Sequence, residues 1–394
     1  MDDMRVIVIG AGVGGLTLAQ GLRQAGIDVA VFEQDAEDAR PQGVSLHLDD
    51  RGSSALGACL PPANLAMAEA TLGGLRTGIQ ALSEVDGVLT AAPRDHPDRP
   101  TGPARPGRMT DRPILRAVLL TGLEDVVRFG VAFSRFEPQA DGSVRVWFTD
   151  GTVETADVLV GADGVGSSVR GQLLPDVRVS DTGKRMLIGA SPLRAVAASG
   201  LAAMIGDNPA TAQVRGTMMV CSVMRFGEPP IAARDRWLPT LRSRVVDDAE
   251  DYVMWALPTT QAVLGTEGGR EAGWRAARSV AAELHPTLRS LIDEAWPART
   301  VTLRVGMIQP LPALPSGSVT ILGDAVRVGP GFGANLAMQD AGRLRDALVR
   351  VVAGEDDLAG ALSTYVAALR PDAPPAETVP SRQLIGSRAA EPGR

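Results

Sequence analysis

Residues 4–9, MRVIVI, form a short, nearly continuous apolar run, the pattern of a parallel strand buried on both faces. Leu16, Leu18, Ala19, Leu22 and Ala25 then supply the apolar face of a helix, and Gly26 ends it. Residues 29–32 follow as a second buried strand, so the opening segment predicts a strand-helix-strand unit of about 30 residues. Near 110–123, Ile114, Leu115, Val118 and Leu119 recur at helical spacing, whereas Val144, Val146 and Phe148 alternate as in a half-buried strand. Asp150-Gly151 marks a turn, and residues 158–160 begin another buried run.

Between 180 and 260 the pattern changes. The stretches RMLIGASPL, QVRGTMMVCSVMRF and DYVMWALP read as strands with little helical periodicity between them. Helical signals return at 271–295, followed by a strand at 319–322 and a long helix at 334–352. The expected architecture is α/β: a first domain over residues 1–180 that resumes over 271–370, with an inserted, mainly β domain at 181–270. Residues 91–108, rich in Pro, Asp and Arg, read as a long loop, and 371–394, which lack a periodic apolar pattern, as a flexible tail.

The 394 residues suffice for two domains, and 45% hydrophobic with 22% charged residues is ordinary globular usage. No uncharged apolar run approaches the roughly 20 residues of a membrane helix, so no membrane span is expected. A net charge of -7 argues against a nucleic-acid partner. Cys59 and Cys221 are too few for a disulfide framework or a cysteine zinc site, and acidic residues stand where a signal peptide carries positive charge. A cytoplasmic setting is expected.

The chemistry begins at Gly10-Ala11-Gly12-Val13-Gly14-Gly15, between the first strand and the first helix. In such a loop one glycine permits the tight turn, another lets backbone approach a pyrophosphate, and the last allows close helix packing. The helix start adds free N–H groups and the positive end of a dipole. Glu33 ends the next strand, 18 residues beyond Gly15, where a carboxylate can accept both hydroxyls of an unphosphorylated ribose. The bland alternative is a glycine-rich turn beside a solvated Glu. The loop does not separate FAD from NAD, since both present an ADP half. Asp163-Gly164 and Gly323-Asp324 each follow a buried run; taken singly, they are equally an Asp-Gly turn and a helix cap.

The ordered set GxGxxG, Glu33, Arg112-x-x-Leu115, GADG with Arg170, and GDA leading into Gly333-Ala334-Asn335 resembles the single-component FAD-dependent aromatic hydroxylases, the family of para-hydroxybenzoate hydroxylase. The resemblance spans residues 4–370. It implies a Rossmann-like FAD-binding domain of the GR2 type with an inserted mainly β substrate-binding domain. It also implies a ribityl contact for Asp324, a place along the pyrophosphate and flavin for Arg112, and a shared FAD and NAD(P)H motif at Asp163. Arg40 is a further cofactor candidate. NADPH or NADH would dock transiently as electron donor, since no second GxGxxG is present.

The family's His two residues beyond GDA is replaced here by Arg327, in a loop that looks shorter. Pro330 offers a backbone edge near the flavin, and Arg327 an anion contact or a solvated charge. His47 is a candidate for proton transfer; a strand histidine is also commonly structural. His96 reads as a solvated loop residue and His285, before Pro286, as a helix cap or a surface residue. No His-carboxylate spacing suits a metal. Met218, Met219, Met224, Tyr252, Met254 and Trp255 suggest an apolar pocket, or core.

The expected activity is FAD- and NAD(P)H-dependent hydroxylation, with molecular oxygen, of a small hydrophobic aromatic or polyketide-like substrate through a flavin C4a-hydroperoxide. The alternatives are a FAD-dependent oxidase, reductase or epoxidase, a non-catalytic flavin-binding protein and, for the glycine loop alone, an NAD-dependent dehydrogenase. The Trp-x-Trp-x-Ile-Pro motif of related halogenases is absent.

Overall fold

The apolar runs that open the chain pair with runs far along it. In the computed structural model, which describes residues 4–37, 43–93, 105–264, 270–328 and 333–369, β1 (Arg5–Ile9) is central to a five-stranded sheet. The order is Val319–Ile321, Val158–Gly161, β1, β2 (Asp28–Glu33) and Val127–Phe129, all parallel. Val6, Ile7 and Val8 have no exposed surface, as a strand covered on both faces requires. α1 (Val13–Gln24) connects the central pair and packs against the long helix Gly333–Val352. On β2, Phe32 stacks on Phe148 with ring centroids 4.0 Å apart, joining the sheet to a three-stranded meander.

A small sheet follows, built from β3 (Ser45–Asp49), Gly107–Asp111 and Leu75–Arg76. Asp49 caps α2 (Asp50–Cys59), accepting the Arg51 and Gly52 N–H groups. The two ends of the 91–108 segment, expected as loop, are strands at Val88–Pro93 and Gly107–Asp111. Residues 94–104 between them, and 371–394, lie outside the described residues.

The second large sheet has seven strands, in the order Val301–Ile308, Val179–Pro192, Tyr252–Thr260, Thr217–Met224, Ala210–Val214, Gln80–Val85 and Val88–Pro93. It therefore draws strands from before and after residues 181–270. One face carries Met219, Cys221, Val253, Trp255 and Leu257, and the helices Arg270–Val280 and Pro286–Asp293 cover it with Ala277, Leu288, Leu291 and Ile292. The Trp255 ring lies over Gly189 of the neighbouring strand, where a Cβ would come within 2.2 Å of it. Cys59 and Cys221 are buried, which pushes their thiols up to about 11 and about 12; both behave as small apolar side chains. Among the described residues, no helix is long and apolar enough to cross a membrane, and no cluster of His, Cys, Asp and Glu could hold a metal.

Candidate cofactor and substrate site

The glycine loop runs from the C-terminal end of β1 into α1. Gly10 sits at φ 108°, where an L side chain is strained, and its Cβ would fall 2.5 Å from the Ala162 carbonyl oxygen. Gly15 allows a closer approach still, since its Cβ would lie 2.1 Å from the Gly10 oxygen. Gly14 is needed for helix packing, because its Cβ would meet Leu322 and Ala337 at 2.8 and 2.9 Å. Gly12 differs from all three: a Cβ there would meet nothing within 4 Å. Nor does its position as N-cap of α1 supply any side-chain hydrogen bond. The protein itself has no use for a bare backbone at Gly12, but a phosphate approaching the helix start does.

Glu33 ends β2 with 8% of its surface exposed. Its Oε2 accepts the Ala11 N–H at 2.8 Å and its Oε1 the Asp35 N–H at 2.9 Å. Each oxygen keeps a lone pair for a ribose hydroxyl, so the carboxylate both fixes the loop and remains able to bind. Arg116, absent from the sequence reading, stands nearby: burial lowers its pKa, and Glu33 is the foremost of the carboxylates that oppose the shift. Its signal was its place four residues after Arg112, on the same side of one helix.

Arg112 opens the helix Arg112–Leu120, which Asp111 caps by accepting the Ile114 N–H at 3.0 Å. The Arg112 guanidinium makes no hydrogen bond or ion pair with any described residue. Burial lowers its pKa, and among the described residues Asp324 is the charge that counters the shift. Asp324 belongs to the tight Gly323–Ala325 turn at the end of the strand Val319–Ile321, and it is open to solvent on one side. Its pKa is raised by the protein packed around its other sides, against the pull of Arg112 and Arg327. Gly333 comes so close that a Cβ there would lie 2.5 Å from the Asp324 Oδ1. Thus Asp324, Gly333 and the start of the long helix share one corner, and Ala334 is part-buried beside it. Gly323 adopts φ 62° and donates its N–H to Asp340 at 3.1 Å.

Other expected site residues have work inside the fold. The Asn335 side chain bridges two elements: its Oδ1 accepts the Asp49 N–H at 3.0 Å, and its Nδ2 donates to the His47 carbonyl at 2.6 Å. Asp163 accepts the Ser168 and Val169 N–H groups at 2.7 and 3.2 Å, capping a short helix, while its Oδ1 is buried without a partner. Arg170 donates to the Ala325 and Val165 carbonyls, tying the GADG and GDA turns together. Arg327, expected as an anion contact or a solvated charge, is tied into the fold. Its guanidinium grips Asp340 at 2.8 and 3.0 Å and the Leu369 carbonyl at 3.2 Å. Asp340 has no exposed surface, and its signal in the sequence was a carboxylate within the apolar arc Ala337, Met338, Ala341 and Leu344. His47 is likewise held, its Nε2 3.1 Å from the Arg105 carbonyl, and burial lowers its pKa. His285 caps its helix by accepting the Thr287 N–H. Arg40, Pro330 and His96 lie outside the described residues.

The six expected pocket residues divide between the two faces of the sheet. Met219 and Trp255 point into the helix-covered core. Met224 and Tyr252 join Val44, Met109 and Ala190 in a separate apolar cluster, with Met254, Phe226 and Trp296 packed at its edge. This cluster lies between the seven-stranded sheet and the small sheet of β3. Arg299 is stationed over the Tyr252 ring at 4.8 Å and is paired with Asp111 at 2.7 Å.

A parallel sheet with an open glycine cradle, together with an arginine unpaired among the described residues that feels the carboxylate of the Gly323–Ala325 turn, defines a dinucleotide-binding flavoprotein architecture with a second, separate sheet. A model of the NAD(P)-binding Rossmann-like domain matches residues 8–37. The chain is 30% identical over 338 residues to the FAD-dependent monooxygenase thnD of Trichoderma harzianum, covering 82% of this chain and 77% of that protein. It is also 30% identical to the dual O-methyltransferase/FAD-dependent monooxygenase CTB3 of Cercospora beticola, over 94% of this chain; there it spans only 44% of the relative's length. The structure of Klebsiella pneumoniae HpxO complexed with FAD and uric acid superposes with a TM-score of 0.66 at 26% identity, covering 92% of this chain and 83% of that one. The chain belongs to the FAD-dependent monooxygenase family.

Proposed function

We propose that this chain binds FAD and, with NADPH or NADH as electron donor, hydroxylates a small aromatic or polyketide-like molecule. The observation that carries the reading is a set of uncommitted groups: open space over Gly12, an Arg112 guanidinium without a partner among the described residues, and the solvent-open carboxylate of Asp324. These are the groups a dinucleotide needs. Backbone N–H groups at the α1 start and Arg112 would take the pyrophosphate, Glu33 the adenosine ribose, and Asp324 the ribityl hydroxyls. When bound, FAD supplies electron storage and oxygen activation. The protein's own residues bind, orient and exclude water: the part-buried edge of the Met224–Tyr252 cluster, with Phe226, Met254 and Trp296, would supply an apolar wall from the second sheet. On this reading the parallel sheet and its return strand form the cofactor unit, and the seven-stranded sheet forms the substrate unit. Uric acid bound to HpxO supports a flat heteroaromatic or enolic substrate class.

Purified protein incubated with FAD should show protein-bound flavin bands. Under isotopically labelled oxygen, with NADPH or NADH and a panel of phenolic and enolic aromatics, one substrate should gain a single labelled oxygen atom. Failure to retain flavin sinks the reading at its base. Flavin reduction by the nicotinamide with hydrogen peroxide as sole product from every substrate would make the chain an oxidase instead.

A further inference from the structure

Arg76 lies in the two-residue strand Leu75–Arg76, opposite Gly107, with only 4% of its surface exposed. Its Nη2 approaches the Met109 Sδ at 2.9 Å, and its Nε is buried without any partner. A thioether is a weak acceptor and does not neutralise a cation. Among the described residues no carboxylate comes within ion-pair distance of it. Asp207 is the carboxylate whose charge it feels, and Asp207 is half-exposed, 3.8 Å from Arg225. Burial lowers the Arg76 pKa to about 10, so the side chain is still charged at neutral pH.

A buried cation without an oxygen partner is costly unless something else supplies the oxygen. The other buried arginines show what is missing: Arg170 has two backbone carbonyls and Arg185 has Asp181. Arg76 has instead the thioether of Met109, a member with Met224 and Tyr252 of one buried apolar cluster. A planar molecule packed against the part-buried edge of that cluster, formed by Phe226, Met254 and Trp296, with an anionic oxygen at one end, would meet both requirements, and a guanidinium presents a fork suited to a carboxylate.

We propose that Arg76 is the specificity-determining residue of the substrate site, receiving a carboxylate or ionised enol oxygen of a flat, otherwise apolar substrate. The inference rests on the monooxygenase reading above and deepens it.

The test uses FAD-loaded protein, its Arg76→Met and Arg76→Lys variants, and two matched probes, 3-hydroxy-2-naphthoate and 2-naphthol, with binding read by flavin spectral perturbation and calorimetry. The wild type should bind the naphthoate about tenfold or more tighter than the naphthol. Arg76→Met should lose about ten- to a hundredfold for the naphthoate while changing naphthol binding less than about threefold, with Arg76→Lys intermediate. Neither inorganic phosphate nor NADPH should displace the naphthoate, which separates a substrate oxyanion from a phosphate. Arg76→Met should also melt at or above the wild-type temperature, because an unpaired charge leaves the interior. A wild type that fails to discriminate, including one that binds neither probe, overturns the proposal, as does a Met variant that is markedly less stable. Flavin bands in each sample keep this outcome apart from failure of FAD binding itself.

Discussion

Within the first glycine loop four residues of one type meet four different demands, and only one of them points outward. Gly10, Gly14 and Gly15 would each drive a Cβ into carbonyl oxygens or side chains of the fold, whereas Gly12 faces open space. Alanine at Gly12 should therefore destabilise the ligand-free protein by less than about 1 kcal/mol, the helix-start preference for glycine over alanine. The same change should weaken FAD binding about tenfold or more, because the methyl occupies the pyrophosphate approach. Gly15→Ala, with its Cβ 2.1 Å from the Gly10 oxygen, should cost about 1–3 kcal/mol in the ligand-free protein through overpacking. Urea melts without ligand and FAD titrations of both variants decide the matter. Equal stability losses would show that Gly12 serves the fold and not a ligand. Arg112 and Arg327 make the same point for charge: among the described residues one side chain has no partner and the other has a buried carboxylate, although the sequence offered both simply as arginines within motifs.

At the scale of elements, the amide of Asn335 acts as a staple between the start of the long helix and β3. It satisfies the Asp49 N–H and the His47 carbonyl across 286 and 288 residues of chain. Asn335→Ala should leave both groups unpaired in a buried place and cost about 1–3 kcal/mol, seen as a lower urea midpoint with an unchanged slope. Loss of FAD affinity without a shift in midpoint would assign the amide to the cofactor. Such cross-chain pairings also explain which elements were readable. β1, α1, β2 and the helix Arg112–Leu120 carry their burial in local periodicity, and the sequence pattern located them. The strand Gln80–Val85 has only an intermittent apolar pattern; it forms a hairpin with Val88–Pro93 and joins the large sheet through Ala210–Val214, a partner no local window contains. Val179–Pro192 is exposed through most of its first half, so its alternation is visible only where Tyr252–Thr260 covers it. The second sheet was therefore expected too narrow. In the site, Gly12, Glu33, Arg112 and Asp324 were legible because a motif fixes them, while Arg76 and Asp340 were not, because their meaning comes from burial that the fold creates.

Over the whole molecule, the chain leaves the parallel sheet after Gly161, builds the seven-stranded sheet, and must return in register at Val319–Ile321. What fastens the return is a set of contacts from the last two helices. Tyr365 donates its hydroxyl to the Ile321 carbonyl at 3.1 Å, and Arg327 joins Asp340 of the long helix to the Leu369 carbonyl at the end of the final one. Asp340 holds the Gly323 N–H as well, so one buried ion pair fixes the turn that carries Asp324. Burial raises the Asp340 pKa, and Arg327 is the strongest influence drawing it back. Removing Arg327 alone leaves a carboxylate with no exposed surface and no ion-pair partner, only the more distant charge of Arg343, and Arg327→Met should cost about 3–5 kcal/mol. Arg327→Met with Asp340→Asn removes both charges and keeps a polar group near Gly323, so its loss should fall short of the sum of the single variants by more than about 1 kcal/mol. Chemical melts of the four proteins in a double-mutant cycle measure that coupling. The double variant should retain FAD and nicotinamide-driven flavin reduction, because on this geometry Arg327 supports the turn from behind and does not meet the reacting atoms. Additive losses, or a double variant that is stable and flavin-loaded yet cannot be reduced, would return Arg327 to the reaction face.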